Sequence, residues 1–397
     1  MKFAYEPEEE AFRAEVKAFI AEHVTPQVLA EQEGEGEEGG NSPHTKAMQD
    51  KMMELGWVRM ALPKEYGGQG GDLVMQFIVD EEFTRAGVTT GHNYGSGYST
   101  IINHGTEEQK KYFIPRMLSG EVSMALGYTE PSGGADLAGI QTRAVRDGDD
   151  WVINGQKMYG GSSNSSHVYL LARTDLNAER HRGLSVFLVP MDTPGVTFRP
   201  LRMMKDKSHK FGYGGPYAGE TFFEDVRIPA TALLGEENNG WFLAATGLAI
   251  DRIGVTRYLR STFRTDHIID YVKNNDFGEY SPSEDPAIRD RLAELWIDRQ
   301  MYRLMTMRSL HMVKRNIPIL HESPAEKVWG PEHAVRAIES IAQILGPYMQ
   351  LLDGEDAPLD GEFGDHLLSA WLIGVAHGSV HVMRDQIARR SMGLPRG

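Results

Sequence analysis

The 397-residue chain contains no cysteine, which excludes disulfide bonds, thiolate catalysis and cysteine-based metal sites. It has no apolar run long enough to cross a bilayer, and its acidic N-terminus differs from secretion and transit signals. Basic residues are outnumbered, since 41 Lys and Arg stand against 56 Asp and Glu. The resulting net charge of −15 argues against general nucleic-acid binding. These absences predict a protein of the reducing cytoplasm, with neither a nucleic-acid nor a membrane partner.

The spacing of apolar residues changes twice along the chain. Residues 1–120 have helical spacing, as at Phe12, Val16 and Phe19, whereas residues 121–235 tend toward a period of two with frequent Gly, Pro and Asp breaks. Long helical patterns return over residues 236–397 and suit a helix bundle. We therefore expect three domains, with boundaries near residues 120 and 235.

Local signals place several elements within this division. Thr106 and Gln109 form a capping-box pattern at a helix start. A turn at 147–150 separates strand-like residues 140–146 from 151–154, as in a hairpin. We predict helices over residues 241–274, 286–314, 324–345 and 367–392, with a polar connection at 353–365. Pro286 and Pro324 fall in first turns, where a missing N–H costs nothing.

Residues 124–166 are the stretch around which the chain is organised. Two strand-like runs flank a turn rich in Gly and Pro, residues 130–136, with Thr129 ending one run and Tyr159 near the end of another. Such an arrangement can offer backbone N–H groups and hydroxyls to a planar ligand with polar edges. It can also supply an aromatic ring to stack on that ligand.

Two segments of this stretch resemble, in order, two signatures of the acyl-CoA dehydrogenase family: ALGYTEP at 125–131 and WVINGQKMY at 151–159. The resemblance covers essentially the whole chain. It implies an α+β multidomain fold, with an N-terminal all-α domain, a central β-barrel or β-sandwich and a C-terminal four-helix bundle. It also implies FAD as the cofactor. A base takes a proton from Cα of an acyl-CoA thioester, a hydride leaves Cβ for the flavin, and an electron-transfer flavoprotein removes the electrons.

The resemblance also implies the cofactor contacts. It places Tyr128 and Thr129 at the pyrimidine edge of the flavin and Tyr159 against one face, with Gly161 and Ser162 nearby. It places Ala135 toward the pyrophosphate and the substrate. In the family some contacts reach a flavin held by another subunit, which implies a homotetramer or an α2β2 tetramer. The further matching positions are Phe277, Gln343, Ile344, Gly346, Ser379 and His381.

The chain departs from the family pattern at three kinds of position. Tyr159 stands where the family usually has Trp, so an aromatic ring is kept for stacking. Gly161 and Ala135 each lack a hydroxyl that the family usually supplies. Asn274 replaces an arginine that would pair with the pyrophosphate, and we expect this loss to weaken binding.

The catalytic base is the largest departure. His377 stands where the family's YEGTxxxxR signature has its glutamate. Some branches carry the base on an earlier helix, where this chain has Asp251 followed by Arg252, to which we assign substrate binding. We favour Asp251 because a closed pocket raises the pKa of a carboxyl group, and His377 is the second candidate. We assign no metal, since His377 and His381 have a spacing that zinc could use but no third ligand is apparent.

Two other functions stay open. Loss of the glutamate permits a family relative with different chemistry, such as an oxidase or a desulfinase. The missing arginine at Asn274 and the missing glutamate also favour a non-catalytic or half-site subunit, which would complete a partner's flavin pocket in a mixed tetramer. The intact region around Thr129 and Tyr159 opposes that second alternative.

Overall fold

The computed structural model describes residues 4–32, 43–60, 62–66, 69–70, 72–88, 96–160, 165–201, 218–251, 255–276, 281–315, 317–376 and 378–395. Five of the predicted site residues lie outside these ranges: Gly161, Ser162, Arg252, Phe277 and His377. For Asp251 only the backbone is described. Within the described ranges no helix is both long and apolar enough to span a membrane.

The first part of the chain is helical, as predicted. Its helices are α1 Pro7–His23, α2 Pro26–Gln32, α3 Pro43–Glu54, α4 Leu73–Arg85, α5 Ser96–His104 and α6 Glu107–Leu118. The predicted capping box of α6 is confirmed, because Thr106 and Gln109 exchange side-chain and backbone hydrogen bonds at its first turn. α1 packs against α4 and buries Val16 and Phe19 in one hydrophobic core.

The central part is an eight-stranded sheet. Its strands are β1 Met124–Gly127, β2 Arg143–Asp147, β3 Asp150–Gly160, β4 His167–Arg173, β5 Leu184–Pro190, β6 Val196–Pro200, β7 Gly219–Pro229 and β8 Leu233–Leu234. The strand order is β6-β7-β3-β2-β4-β5-β8, and β1 lies parallel to β4. The predicted hairpin is confirmed, since Asp147 of β2 pairs with Asp150 of β3.

The sheet is a sandwich, and the alternative of a closed barrel is wrong for the described residues. β2 and β4 share a single paired position, Arg143 with Arg173, while β6 and β8 stand at the two ends of the strand order. The two halves of the sheet therefore fold over each other and enclose a core. That core includes Ala125, Ala144, Trp151, Ile153, Val168, Leu170, Phe187, Phe223 and Val226.

The last part is again helical. Its helices are α7 Gly240–Asp251, α8 Val255–Asn274, α9 Pro286–Lys314, α10 Glu322–Leu345, α11 Glu362–Ile373 and α12 Val380–Arg390. α10 lies against α8, α9, α11 and α12. Pro286 is the first residue of α9 and Pro324 lies in the first turn of α10, as predicted. α7 and α8 flank residues 252–254, which lie outside the described ranges.

The helix predicted over residues 367–392 is wrong as a single element. The structure has α11 and α12 instead, because Gly378 has a left-handed φ of 92° and Ser379 caps α12 by accepting a hydrogen bond from the Val382 N–H. α11 also begins five residues earlier than predicted, at Glu362, and therefore takes in the end of the polar connection predicted at 353–365. The domain boundaries at 120 and 235 stay predictions.

Candidate functional site

The end of β3 presents an aromatic side chain from an irregular backbone. The pairing of β3 with β7 shifts register between Met158 and Gly160, so Tyr159 is the extra residue of a β-bulge. Tyr159 has a φ of 60° and its ring is 59% exposed. A bulge with a positive φ at a non-glycine residue is a feature of functional sites, where it turns a side chain out of the strand. Here it directs an aromatic ring away from the sandwich core.

Backbone contacts bring this bulge next to the end of β1. The Met158 N–H donates to the Thr129 carbonyl at 2.8 Å. A Cβ at Gly160 would lie 2.0 Å from the Leu126 carbonyl oxygen, so only glycine permits this approach of the two strands. Thr129 and Tyr159 are thereby held close to each other. Their contacts with a planar ligand stay predictions.

Tyr128 and the turn after it complete this region. The Tyr128 ring is buried and meets Tyr169 edge-on at 5.8 Å, so its side chain packs in the domain rather than facing outward. Glu130 and Gly133 exchange two backbone hydrogen bonds of 3.1 Å, which closes the turn. Ala135 is exposed on the turn's far side. A small pocket of about 80 Å³ lies beside it, lined by Ser132, Gly133, Asp136, Gly139, Ile140 and Gln141.

A buried ion pair lies beneath these segments. Lys157 Nζ is 2.8 Å from Glu130 Oε1 and 3.2 Å from the Tyr128 carbonyl oxygen. The Glu130 carboxylate also accepts from the backbone N–H groups of Gln141, at 2.7 Å, and Thr142, at 2.9 Å. The two side chains are only 1% and 4% exposed. The pair therefore joins β3, the end of β1 and the far end of the turn segment.

Both members of this pair are charged at neutral pH. Burial lowers the pKa of Lys157 to about 8, although Glu130 opposes the change. Burial works against ionisation of Glu130 too, but the Lys157 ammonium and the backbone donors outweigh it and hold the pKa of that carboxyl below its ordinary value. Sequence reasoning missed this pair. A signal was present, since Lys157 has the same strand parity as the inward-facing Trp151 and Ile153.

Other predicted contacts lie in the helical C-terminal part. Gln343 is exposed and Ile344 is half-buried at the end of α10. Gly346 follows with a φ of 57°, a conformation that ends the helix and turns the chain. Ser379 and His381 lie at the start of α12, which packs against α10. Ser379 is the helix cap and His381 is exposed.

The predicted base can be located only by its backbone. Asp251 is the last residue of α7. α7 packs against α5 and β5, and it also contacts β4. This places the backbone of Asp251 on a helix that lies directly on the sandwich.

Comparison with known proteins gives a consistent result across the chain. Models of the acyl-CoA dehydrogenase N-terminal, middle and C-terminal domains match residues 6–121, 125–226 and 238–392. The chain is 31% identical to acyl-CoA dehydrogenase FadE26 of Mycobacterium tuberculosis, over 100% of this chain and 99% of that relative. It is also 29% identical to each of two solved structures, and each alignment covers 100% of this chain and 100% of the other chain. These are described as the Tcur3481-Tcur3483 steroid ACAD, with a TM-score of 0.84, and the ChsE4-ChsE5 complex from Mycobacterium tuberculosis, with a TM-score of 0.85.

Proposed function

The chain belongs to the acyl-CoA dehydrogenase family, and on that premise we propose that it oxidises an acyl-CoA thioester to a trans-2-enoyl-CoA with FAD as cofactor. Members of this family are flavoproteins that use FAD. The observation that carries the proposal is the bulge that exposes the Tyr159 ring beside Thr129. An electron-transfer flavoprotein is the proposed electron acceptor, and the cytoplasm is the proposed location.

The residues at the end of β3 fit a flavin ring. Tyr159 offers an aromatic face for stacking. The backbone of Thr129 is fixed by its hydrogen bond to Met158, which leaves its N–H and hydroxyl as candidate partners for a polar ring edge. Flavin, when bound, supplies the hydride acceptor that no side chain can provide. The chain's own task is to hold the thioester, remove its α-proton and keep water out.

The fixed geometry around Thr129 and Tyr159 suits this task. Backbone groups held by the hydrogen bond between Met158 and Thr129 need little reorganisation when charge develops on the substrate. Preorganised sites lower barriers in this way. The exposed turn at Ala135 and its neighbouring pocket are the proposed site for the cofactor's phosphates and part of the substrate. Phe277, Gly161, Ser162 and Arg252 stay proposed contacts from the resemblance.

We propose Asp251, in preference to His377, as the base that removes the α-proton of the thioester. The proposal rests on branches of the family that carry the base on an earlier helix, at the position that Asp251 of α7 matches. The chain would assemble as a homotetramer or an α2β2 tetramer. In such an assembly Gln343, Ile344 and Gly346 would contact a flavin held by another subunit, with Ser379 and His381 facing flavin as well.

Anaerobic mixing with a panel of acyl-CoA thioesters tests this proposal. The panel should include short, long and steroid acyl groups, because one structural neighbour is described as a steroid ACAD. We expect at least one thioester to bleach the visible absorption of the flavin. Asp251→Asn should abolish bleaching while FAD stays bound, and His377→Gln should slow it less. Reduction of the Asp251→Asn flavin at the parent rate would refute the base assignment, and no bleaching by any thioester would refute the dehydrogenase proposal.

A half-site subunit is the second candidate. Two observations favour it: Asn274 replaces the family's arginine, and one similar structure is described as a complex of two different chains. In that case the chain purified alone would bind FAD poorly, and co-expression with a second chain of the family would restore binding. FAD bound tightly by the isolated chain would exclude this candidate.

A further inference from the structure

We propose that Lys157 and Glu130 are positioning residues of the flavin site, which fix the segments on either side of the cofactor without touching it. The inference rests on the proposed function, since it takes the end of β3 as the place where FAD binds. The pair lies beneath three segments that carry expected contacts: Tyr128–Thr129, the turn around Ala135 and the bulge at Tyr159.

The contacts of Lys157 explain how the end of β1 is held. The Thr129 carbonyl accepts a backbone hydrogen bond from the Met158 N–H at 2.8 Å. The carbonyl of the preceding residue, Tyr128, is reached by the Lys157 side chain at 3.2 Å. Two successive carbonyls are thus bound to two successive residues of β3. Because both are fixed, the peptide unit between Tyr128 and Thr129 has a single orientation toward the ligand side.

The contacts of Glu130 close the turn segment. Its carboxylate accepts the N–H groups of Gln141 and Thr142, which stand at the far end of the segment that begins after Glu130. One buried side chain therefore holds both ends of the segment that contains Ala135. The Arg173 guanidinium also holds this segment, by donating to the Ala138 carbonyl at 2.8 Å and the Ile140 carbonyl at 3.2 Å. Glu130 adds the contact that ties the segment to Lys157 and to the end of β1.

Stability does not require a charged pair at this place. A buried ion pair costs desolvation energy that its attraction often only balances, and apolar replacements are frequently as stable. A pair that is nearly fully buried and binds the Tyr128 carbonyl and the N–H groups of Gln141 and Thr142 contributes orientation instead. A positioning pair and a merely structural pair therefore respond differently to substitution.

The test compares Lys157→Met with the double variant Lys157→Met/Glu130→Gln, in which neither site carries a charge. FAD is titrated into each apo-protein, the visible circular dichroism of the saturated flavin is recorded, and the apo unfolding midpoint is measured. We expect Lys157→Met to unfold more easily, and the double variant to unfold near the parent midpoint. Both variants should bind FAD at least roughly tenfold more weakly than the parent, with an altered flavin signal at saturation. Arg227→Met, which removes two exposed ion pairs between β7 and the β2–β3 hairpin, is the control. It should change none of the three measured quantities.

The outcomes separate this inference from the proposed function. A double variant that binds FAD with the parent's affinity and the parent's flavin signal overturns the positioning role. Affinity losses that follow the loss of apo stability across the variants also overturn it, since that is the behaviour of a structural pair. A parent chain that takes up no FAD, alone or with a second family chain, overturns the proposed function first and this inference with it.

Discussion

Two buried carboxylates in the described part of the chain, Glu81 and Glu130, have different roles. Glu81, in α4, is 1% exposed and accepts hydrogen bonds from Tyr5, Tyr258 and both arms of the Arg303 guanidinium. Those partners precede α1 or lie on α8 and α9, so Glu81 joins the first helical part to the last. Glu130 instead joins segments that are close in sequence and lie beside the proposed flavin site.

The two carboxylates also differ in their charged partners. Burial opposes ionisation of Glu81, yet Arg303, Arg85 and Tyr258 together hold its pKa at about 2. Several donors therefore serve one acceptor, and the carboxylate is more stable in the folded chain than in water. At the other site Lys157 is the cation that pairs with the Glu130 carboxylate. Burial lowers the pKa of Lys157 to about 8. We therefore expect Glu81, which two arginines contact, mainly to stabilise the fold, and the single buried ion pair of Glu130 mainly to fix geometry.

The largest expected effect belongs to Glu81. Glu81→Gln leaves the partly buried Arg303 guanidinium without its carboxylate, and removing one partner of a buried ion pair costs about 3–5 kcal/mol. We expect the free energy of unfolding in urea to fall by that amount while the FAD dissociation constant stays within about twofold. Glu15→Gln on the exposed face of α1 is the control, with an expected change below about 0.5 kcal/mol. A comparable loss of FAD affinity in Glu81→Gln would remove the distinction between the two sites.

The stability that Glu81 contributes should decrease at acid pH. The pKa of Glu81 is about 2 in the folded chain against an ordinary value of 4.5. Its contribution is therefore complete above pH 4.5 and is lost as the pH falls toward 2, at about 1.4 kcal/mol per pKa unit. The difference in unfolding free energy between parent and Glu81→Gln should shrink over this range. A difference that does not change with pH would show that the lost stability comes from packing rather than from charge.

Tyr159 should show the smallest effect on stability and a clear effect on binding. Its φ of 60° costs a non-glycine residue about 1–2 kcal/mol, while glycine adds backbone entropy of about 0.5–1 kcal/mol to the unfolded state. Tyr159→Gly should therefore alter apo stability by less than about 1 kcal/mol. It should weaken FAD binding roughly 2- to 10-fold through the lost ring contact, and Tyr159→Phe should not. Equal affinity in Tyr159→Gly would mean that this ring does not contact the flavin.

Features that depend on neighbouring residues were predictable from the sequence. The capping box at Thr106, the hairpin turn after Asp147 and the proline start of α9 each need only a few adjacent residues, and each is present. The bulge at Tyr159 lies where the strand was expected to end. Its positive φ was not predictable, because Tyr159 is neither glycine nor asparagine, the residues that commonly have a positive φ.

Two features were missed, one that had local signals and one that depends on distant residues. The break between α11 and α12 had local signals in Gly378 and Ser379, but helical apolar spacing on both sides outweighed them. The pair of Lys157 and Glu130 joins residues 27 positions apart. Its existence depends on the alignment of β3 beside β1, which the alternation of apolar residues does not specify.

Equilibrium titration of the apo-protein with FAD tests the central claim most directly, because the whole account takes the end of β3 as a flavin site. The expected result is saturable binding with about one FAD for each chain, or one for every two chains if a partner chain is required. Bound flavin should have quenched fluorescence in the parent but less so in Tyr159→Gly. A chain that binds no FAD, either alone or with a second family chain, would contradict the account.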